Sequence, residues 1–191
     1  MARRPFHKPD QQGKFDGLCG IYSVLNSVKW LYRLREKQLD RLFHALCESI
    51  ADKFPEALWE GLGVPEMQRL LRFAQTHLVE KHGTSDLTWH MPLMRAQFGS
   101  VETFWSSVRD QIAIGKGSVV IVGLNKPWDH WTVAREVTRE SVAFFDSYDM
   151  RRYKFSSFTL DQAEAGHLAG QKILIDTHQS FRLTRGNGVA A

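Results

Sequence analysis

Residues 117–147, GSVVIVGLNKPWDHWTVAREVTRESVAFFDS, decide how this chain is read. Gly117 to Leu124 is a run of β-branched residues without a helical period, which predicts a buried strand. His130–Val137 and Ser141–Ser147 alternate apolar and polar side chains, the pattern of a strand with one face inward. Thr138-Arg139-Glu140 lies between them as a turn, so the pair predicts an antiparallel hairpin. His130 opens its first strand and Asp146 closes its second. They stand sixteen residues apart across that turn, which puts them at the same end of neighbouring strands.

Further along, Lys172–Asp176 and Ser180–Leu183 continue the strand character. Before residue 117 the period changes to that of helices. Ile21, Val24, Leu25, Val28, Leu31 and Tyr32 predict a central buried helix over Leu18–Leu34, with Asp16 as its N-cap. Leu39, Leu42, Phe43, Leu46 and Ile50 predict a second over Glu36–Phe54, stopped by Pro55. A third starts at Pro65, a residue suited to a first helical turn, and carries Met67, Leu70, Leu71, Ala74 and Leu78 to His82-Gly83. Leu87–Met91 reads as extended and Val101–Ile114 as a further helix. Helices followed by a mostly antiparallel sheet make the class α+β. One domain over 1–191 is expected, with residues 1–10 and 185–191 as flexible ends.

Composition agrees with a folded domain: 43% of the 191 residues are hydrophobic and 24% charged, and twelve Phe and six Trp predict a ring-rich core. The net charge of +4 is partly local, with Arg3, Arg4 and Lys8 at one end and Arg182 and Arg185 near the other. A nucleic-acid face gathers such residues with interleaved aromatics. Only Arg151-Arg152-Tyr153-Lys154 approaches that pattern, and it reads as a solvated turn, so nucleic acid is not an expected partner. No apolar run reaches the ~18 residues of a spanning helix or forms a signal peptide, which predicts a cytoplasmic protein without membrane attachment. Delivery as an effector stays open. With two cysteines there is no disulfide framework, and no Cys/His spacing suits a metal. No cofactor is expected.

Cys19 lies three residues after Asp16, in the first turn of the most buried helix. Unpaired N–H groups and partial positive charge at a helix start favour a thiolate, the nucleophilic form of cysteine. Gly17 and Gly20 flank it and permit close approach of a substrate backbone. Cys47, beside Leu46 and Ile50 in a helical stripe, reads as packing. His130 sits at a strand mouth between Trp128 and Trp131, rings that are expected to exclude water and wall a groove. Asp146 is placed to accept the histidine's second N–H and fix its tautomer, with Asp149 as the weaker substitute. Trp59, Trp89, Met91 and Met94 are groove or core residues.

A thiol at a helix start, a histidine at a strand start and a carboxylate at the paired strand's end together resemble the papain-like cysteine peptidase superfamily. The pattern DGLCG, DHWTV and FFDS, at residues 16–20, 129–133 and 144–147, looks closest to compact bacterial C39-like peptidase domains. There is a fainter likeness to deubiquitinases of the Josephin and OTU types, and Asp16-Gly17-Leu18-Cys19 echoes the OTU stretch. The resemblance covers residues 11–183 and implies a papain-like fold, a protein or peptide substrate and a Cys19–His130–Asp146 triad. It further implies an oxyanion-hole glutamine before the cysteine. Gln12 is favoured and Gln11 stays open, since the papain spacing of six falls on Gly13. The expected reaction is hydrolysis of a peptide or isopeptide bond. A Cys-His-Asp acyltransferase, transglutaminase or amidase and a silent interaction module are the alternatives.

Overall fold

The computed structural model describes residues 8–13, 16–83, 86–114, 117–168 and 170–186. Its helices are α1 (Cys19–Tyr32), α2 (Glu36–Ser49), α3 (Glu56–Glu60), α4 (Val64–His82) and α5 (Val101–Ala113). Its strands are β1 (Leu87–His90), β2 (Ser118–Leu124), β3 (His130–Val137), β4 (Ser141–Phe144), β5 (Arg152–Lys154), β6 (Phe158–Thr159) and β7 (Ile173–Arg185). The sheet order is β1-β7-β2-β3-β4-β5 with antiparallel neighbours, and β6 pairs with β7 in parallel, off that path. The fold is α+β, with a mostly antiparallel sheet.

The sheet divides two cores. On one face α1, α2 and α4 pack their stripes against Val119, Ile121, Trp131, Val133, Phe181 and Leu183. On the other, Phe104, Trp105 and Val108 of α5 meet Val120, Val122, Leu124, Ala134, Phe144 and Phe158. Successive residues of β2 therefore feed opposite cores, which explains why that segment carries no alternation. Polar Ser23, Asn26 and Ser27 are also buried in α1, a point that matters for the site.

Four expectations are corrected. Asp16 is not the N-cap of α1: Leu18 occupies that position without a side-chain cap, and the Asp16 carboxylate accepts the Leu18 N–H at 3.3 Å. The second helix ends at Ser49, because Ile50 turns out of helical geometry into a 3-10 turn over Ala51–Lys53. Arg152–Lys154 is an edge strand rather than a turn. The two expected final strands are one, β7, with a register shift against β2 between Val122 and Gly123. Val122 faces Ser180 and Gly123 faces Asp176, so residues 177–179 bulge out. Gln179 then lies against Gly123, where an added Cβ would come 2.7 Å from the Gln179 Cβ; no larger residue fits that strand position.

Of the ends expected to be flexible, residues 1–7 and 187–191 lie outside the described residues. Asp10 and Arg185, within those expected ends, are held by hydrogen bonds to α1 and Asp86 respectively. Among the described residues, no helix is long and apolar enough to cross a membrane.

Candidate active site

Two residues one helical turn apart seat α1 on the start of β3. The Trp131 N–H donates to Cys19 Sγ at 3.5 Å, and the Ser23 hydroxyl donates to the Trp131 carbonyl at 2.7 Å. Positions i and i+4 share a helix face, so one residue of β3 fixes both the height and the rotation of the helix start. The sulfur makes a further long contact with the Gly17 carbonyl at 3.9 Å. Cys19 is 4% exposed.

The hairpin supplies the next two groups. Pairing of Ala134 with Phe144, and the Phe145 N–H bond to the Val133 carbonyl at 2.8 Å, set the register at this end. Carried on, that register puts Asp146 level with Thr132, a diagonal neighbour of His130 on the same face. His130 Nε2 meets Asp146 Oδ1 at 2.6 Å. Since Nε2 is taken, Nδ1 is the nitrogen left to face Cys19, which interacts electrostatically with the ring. The other carboxylate oxygen of Asp146 accepts the Tyr148 N–H at 2.7 Å and the Met150 N–H at 3.1 Å. Both ends of the acid are thereby committed, and it is fully buried.

Electrostatics follow from this packing. Burial alone pushes the His130 imidazole down; hydrogen bonds to Asp146 and Cys19, with their charges, outweigh it and raise the ring to about 9. Burial pushes the Asp146 carboxyl up, and the bond to and charge of His130 overcome this, so it lies below its ordinary range. The acid is charged and the imidazole holds a proton at neutral pH.

Gln12 and Gln11 both belong to the neighbourhood, in different ways. Gln12 donates from Nε2 to the Asp16 carbonyl at 3.3 Å, and its Oε1 accepts the Ser147 hydroxyl at 2.9 Å. Its second amide N–H has no partner among the described residues, in the turn that leads to Cys19. Gln11 is exposed and donates instead to the Asp146 carbonyl at 3.0 Å.

The expected groove residues divide. Trp131 is no wall: it is 4% exposed, its indole N–H donates to the Leu62 carbonyl at 2.6 Å, and its ring packs on Phe181. The strand period turns it inward, away from its neighbours 130 and 132. Trp128, in the turn before β3, is 44% exposed. Gly17 does admit a close backbone, but that backbone is the chain's own: its N–H donates to the Leu58 carbonyl at 2.8 Å, and a Cβ there would lie 2.9 Å from that oxygen. Gly20 is packed by Met67 and Leu62. Asp149 pairs with Arg151 at 3.0 Å at the surface, and it is Asp146 that meets the imidazole. Trp59 and Met94 are exposed, whereas Trp89 and Met91 pack against the helical core. Among the described residues, no group of three or more His, Cys, Asp and Glu is set to hold a metal ion.

Ser23, Asn26 and Ser147 escaped the sequence reading. A signal existed for the first two: polar residues on the most apolar helix need buried partners. Ser147 carried none, because its partner Gln12 is 135 residues away.

Comparison with family models, with curated proteins and with solved structures finds no match, so the functional reading rests on this geometry.

Proposed function

We propose that this chain is a papain-like cysteine hydrolase that cleaves peptide or isopeptide bonds through Cys19, His130 and Asp146. The observation that carries the reading is the buried contact of His130 Nε2 with Asp146 Oδ1 at 2.6 Å, on a ring that also interacts with the thiol at the start of α1. The raised imidazole carries a proton on Nδ1 at rest. The sulfur attacks the substrate carbonyl carbon, and the oxyanion takes hydrogen bonds from the Cys19 N–H and the second side-chain N–H of Gln12. His130 gives its proton to the leaving nitrogen, the C–N bond breaks, and a thioester remains on Cys19. Water then attacks the thioester, passing a proton to Nδ1, and the acid product leaves as the sulfur is regenerated.

Two exposed rings suit a protein substrate: Trp128, two residues before His130 in the chain, and Tyr148, whose ring centroid is 6.4 Å from the imidazole. Such rings bind side chains of an extended peptide at low entropic cost.

The test is a screen of peptide and ubiquitin-like conjugates with the wild type and Cys19→Ala. The wild type is expected to release free acid product, and Cys19→Ala to lose turnover by roughly 10⁶-fold while its melting curve stays intact. Turnover retained by Cys19→Ala contradicts the proposal; transfer of the acyl group to an added amine in place of water redirects it to acyl transfer.

A further inference from the structure

Four consecutive residues ahead of α1 tie together the parts on which the proposed reaction depends. Asn26 is fully buried in α1. Its Oδ1 accepts the Asp10 N–H at 2.7 Å and its Nδ2 donates to the Asp10 carbonyl at 3.1 Å, the pairing a neighbouring strand would give. Lys29, one turn's reach along the same helix, bonds the Asp10 carboxylate at 2.8 Å. Gln11 then holds the Asp146 carbonyl. The Gln12 N–H donates to the Ser147 carbonyl at 3.1 Å, and the Gly13 N–H donates to the Asp16 carboxylate at 2.6 Å.

The Gln12 amide has only one possible orientation in this setting. The Asp16 carbonyl can only accept, so the NH₂ group must face it; Oε1 then faces Ser147, whose hydroxyl must donate. The segment therefore spans three separate pieces: the body of α1, the loop after β4 that carries the acid, and the turn entering Cys19. None of these contacts is needed to bury apolar surface, and Gln11 is exposed.

We propose that residues 10–13 are a positioning strap for the active site, in which Asn26 anchors the strap and Gln11 holds the Asp146 backbone in line with His130. Both are positioning residues, acting through Asp146. Only asparagine offers a paired donor and acceptor of this length at position 26: aspartate sets a carboxylate oxygen against the Asp10 carbonyl, and leucine leaves two part-buried backbone groups unpaired. The inference rests on the triad reading, since a strap matters to chemistry only if Asp146 serves His130. The raised imidazole gives it a readout that needs no substrate.

The experiment is an NMR titration of the His130 ring in the full chain labelled at histidine, run on the wild type, Asp146→Asn, Asn26→Ala and Gln11→Ala, each with a thermal melt. Asp146→Asn is expected to bring the midpoint down from about 9 by one pH unit or more. Asn26→Ala and Gln11→Ala are expected to move it in the same direction by roughly half a unit, as the carboxylate loses its fixed seat. If Asp146→Asn lowers the midpoint while both strap variants keep the wild-type value, the strap is overturned and the triad stands, even where melting temperatures fall. If Asp146→Asn leaves the midpoint in place, the triad reading falls and takes the strap with it. Should Asn26→Ala fail to fold, Gln11→Ala at its exposed position decides the matter alone.

Discussion

Cys19 and Cys47 lie on adjacent helices of one layer, yet their surroundings differ in every respect that matters to sulfur chemistry. Cys47 sits in the last turn of α2, half-buried against the helical core. Burial pushes its thiol up and neighbouring Glu48 adds to that, against a smaller opposing effect of its own backbone hydrogen bond. Cys19 stands at the first residue of α1, under a backbone donor from β3 and against an imidazole held by a buried carboxylate. On the proposed reading, a helix contributes to a nucleophile by where it starts and what strand end faces it. Packed in the apolar stripe of α2, away from a helix start, Cys47 is a small apolar side chain.

The comparison collapses most completely if its imidazole is removed. His130→Ala is expected to cut turnover by about 10⁴-fold or more and to leave Cys19 no more reactive than Cys47. Asp146→Asn, which removes the charge that orients the ring, is expected to cost less, on the order of 10²–10³-fold. Steady-state rates on a cleaved substrate rank the two; equal losses would show that Asp146 does more than orient.

Next in size is a pH-dependent stability between pH 6.5 and 9 that belongs mainly to the Cys19 side. His130 is raised above its unfolded value near 6.5, so its contribution is complete below that pH and disappears as pH rises through about 9. Asp146 is lowered, so its contribution is present above the ordinary carboxylate range and disappears as pH falls through its folded value. Urea unfolding of the wild type is expected to lose up to ~3 kcal/mol between pH 6.5 and 9, a loss that Cys47→Ala retains and His130→Ala lacks. A flat profile in the wild type would contradict the raised imidazole.

Smaller effects separate the core from the rim. Trp131→Phe removes the indole bond to the buried Leu62 carbonyl and is expected to cost about 1–3 kcal/mol. Trp128→Ala, at an exposed ring, is expected to change stability by no more than ~0.5 kcal/mol while raising KM on a protein substrate. Equal stability losses at the two tryptophans would undo the assignment of one to the core and the other to the surface.

Much of this was legible in the sequence because the hydrophobic period reports burial directly. The stripes of α1, α2 and α4 and the hairpin of β3 and β4 could be placed, and with them the meeting of His130 and Asp146. What escaped was non-local or too short to show a period. The five residues of α3 carry no stripe, yet their last turn walls Gly17 through the Leu58 carbonyl. Trp131 beside a histidine looked like a groove wall, and strand alternation alone turns it into the core. Gln11 and Gln12 find partners 135 residues away, a pairing that no local pattern encodes.

The most direct test of the central claim is alkylation of the native protein with iodoacetamide at graded pH, with the modified cysteine located by mass. Access alone favours Cys47, since Cys19 is 4% exposed and Cys47 only half-buried. The account predicts the reverse: Cys19 alkylates first at pH values well below 8.5, and His130→Ala abolishes its lead. Cys47 reacting first, or a Cys19 lead that survives His130→Ala, would contradict it.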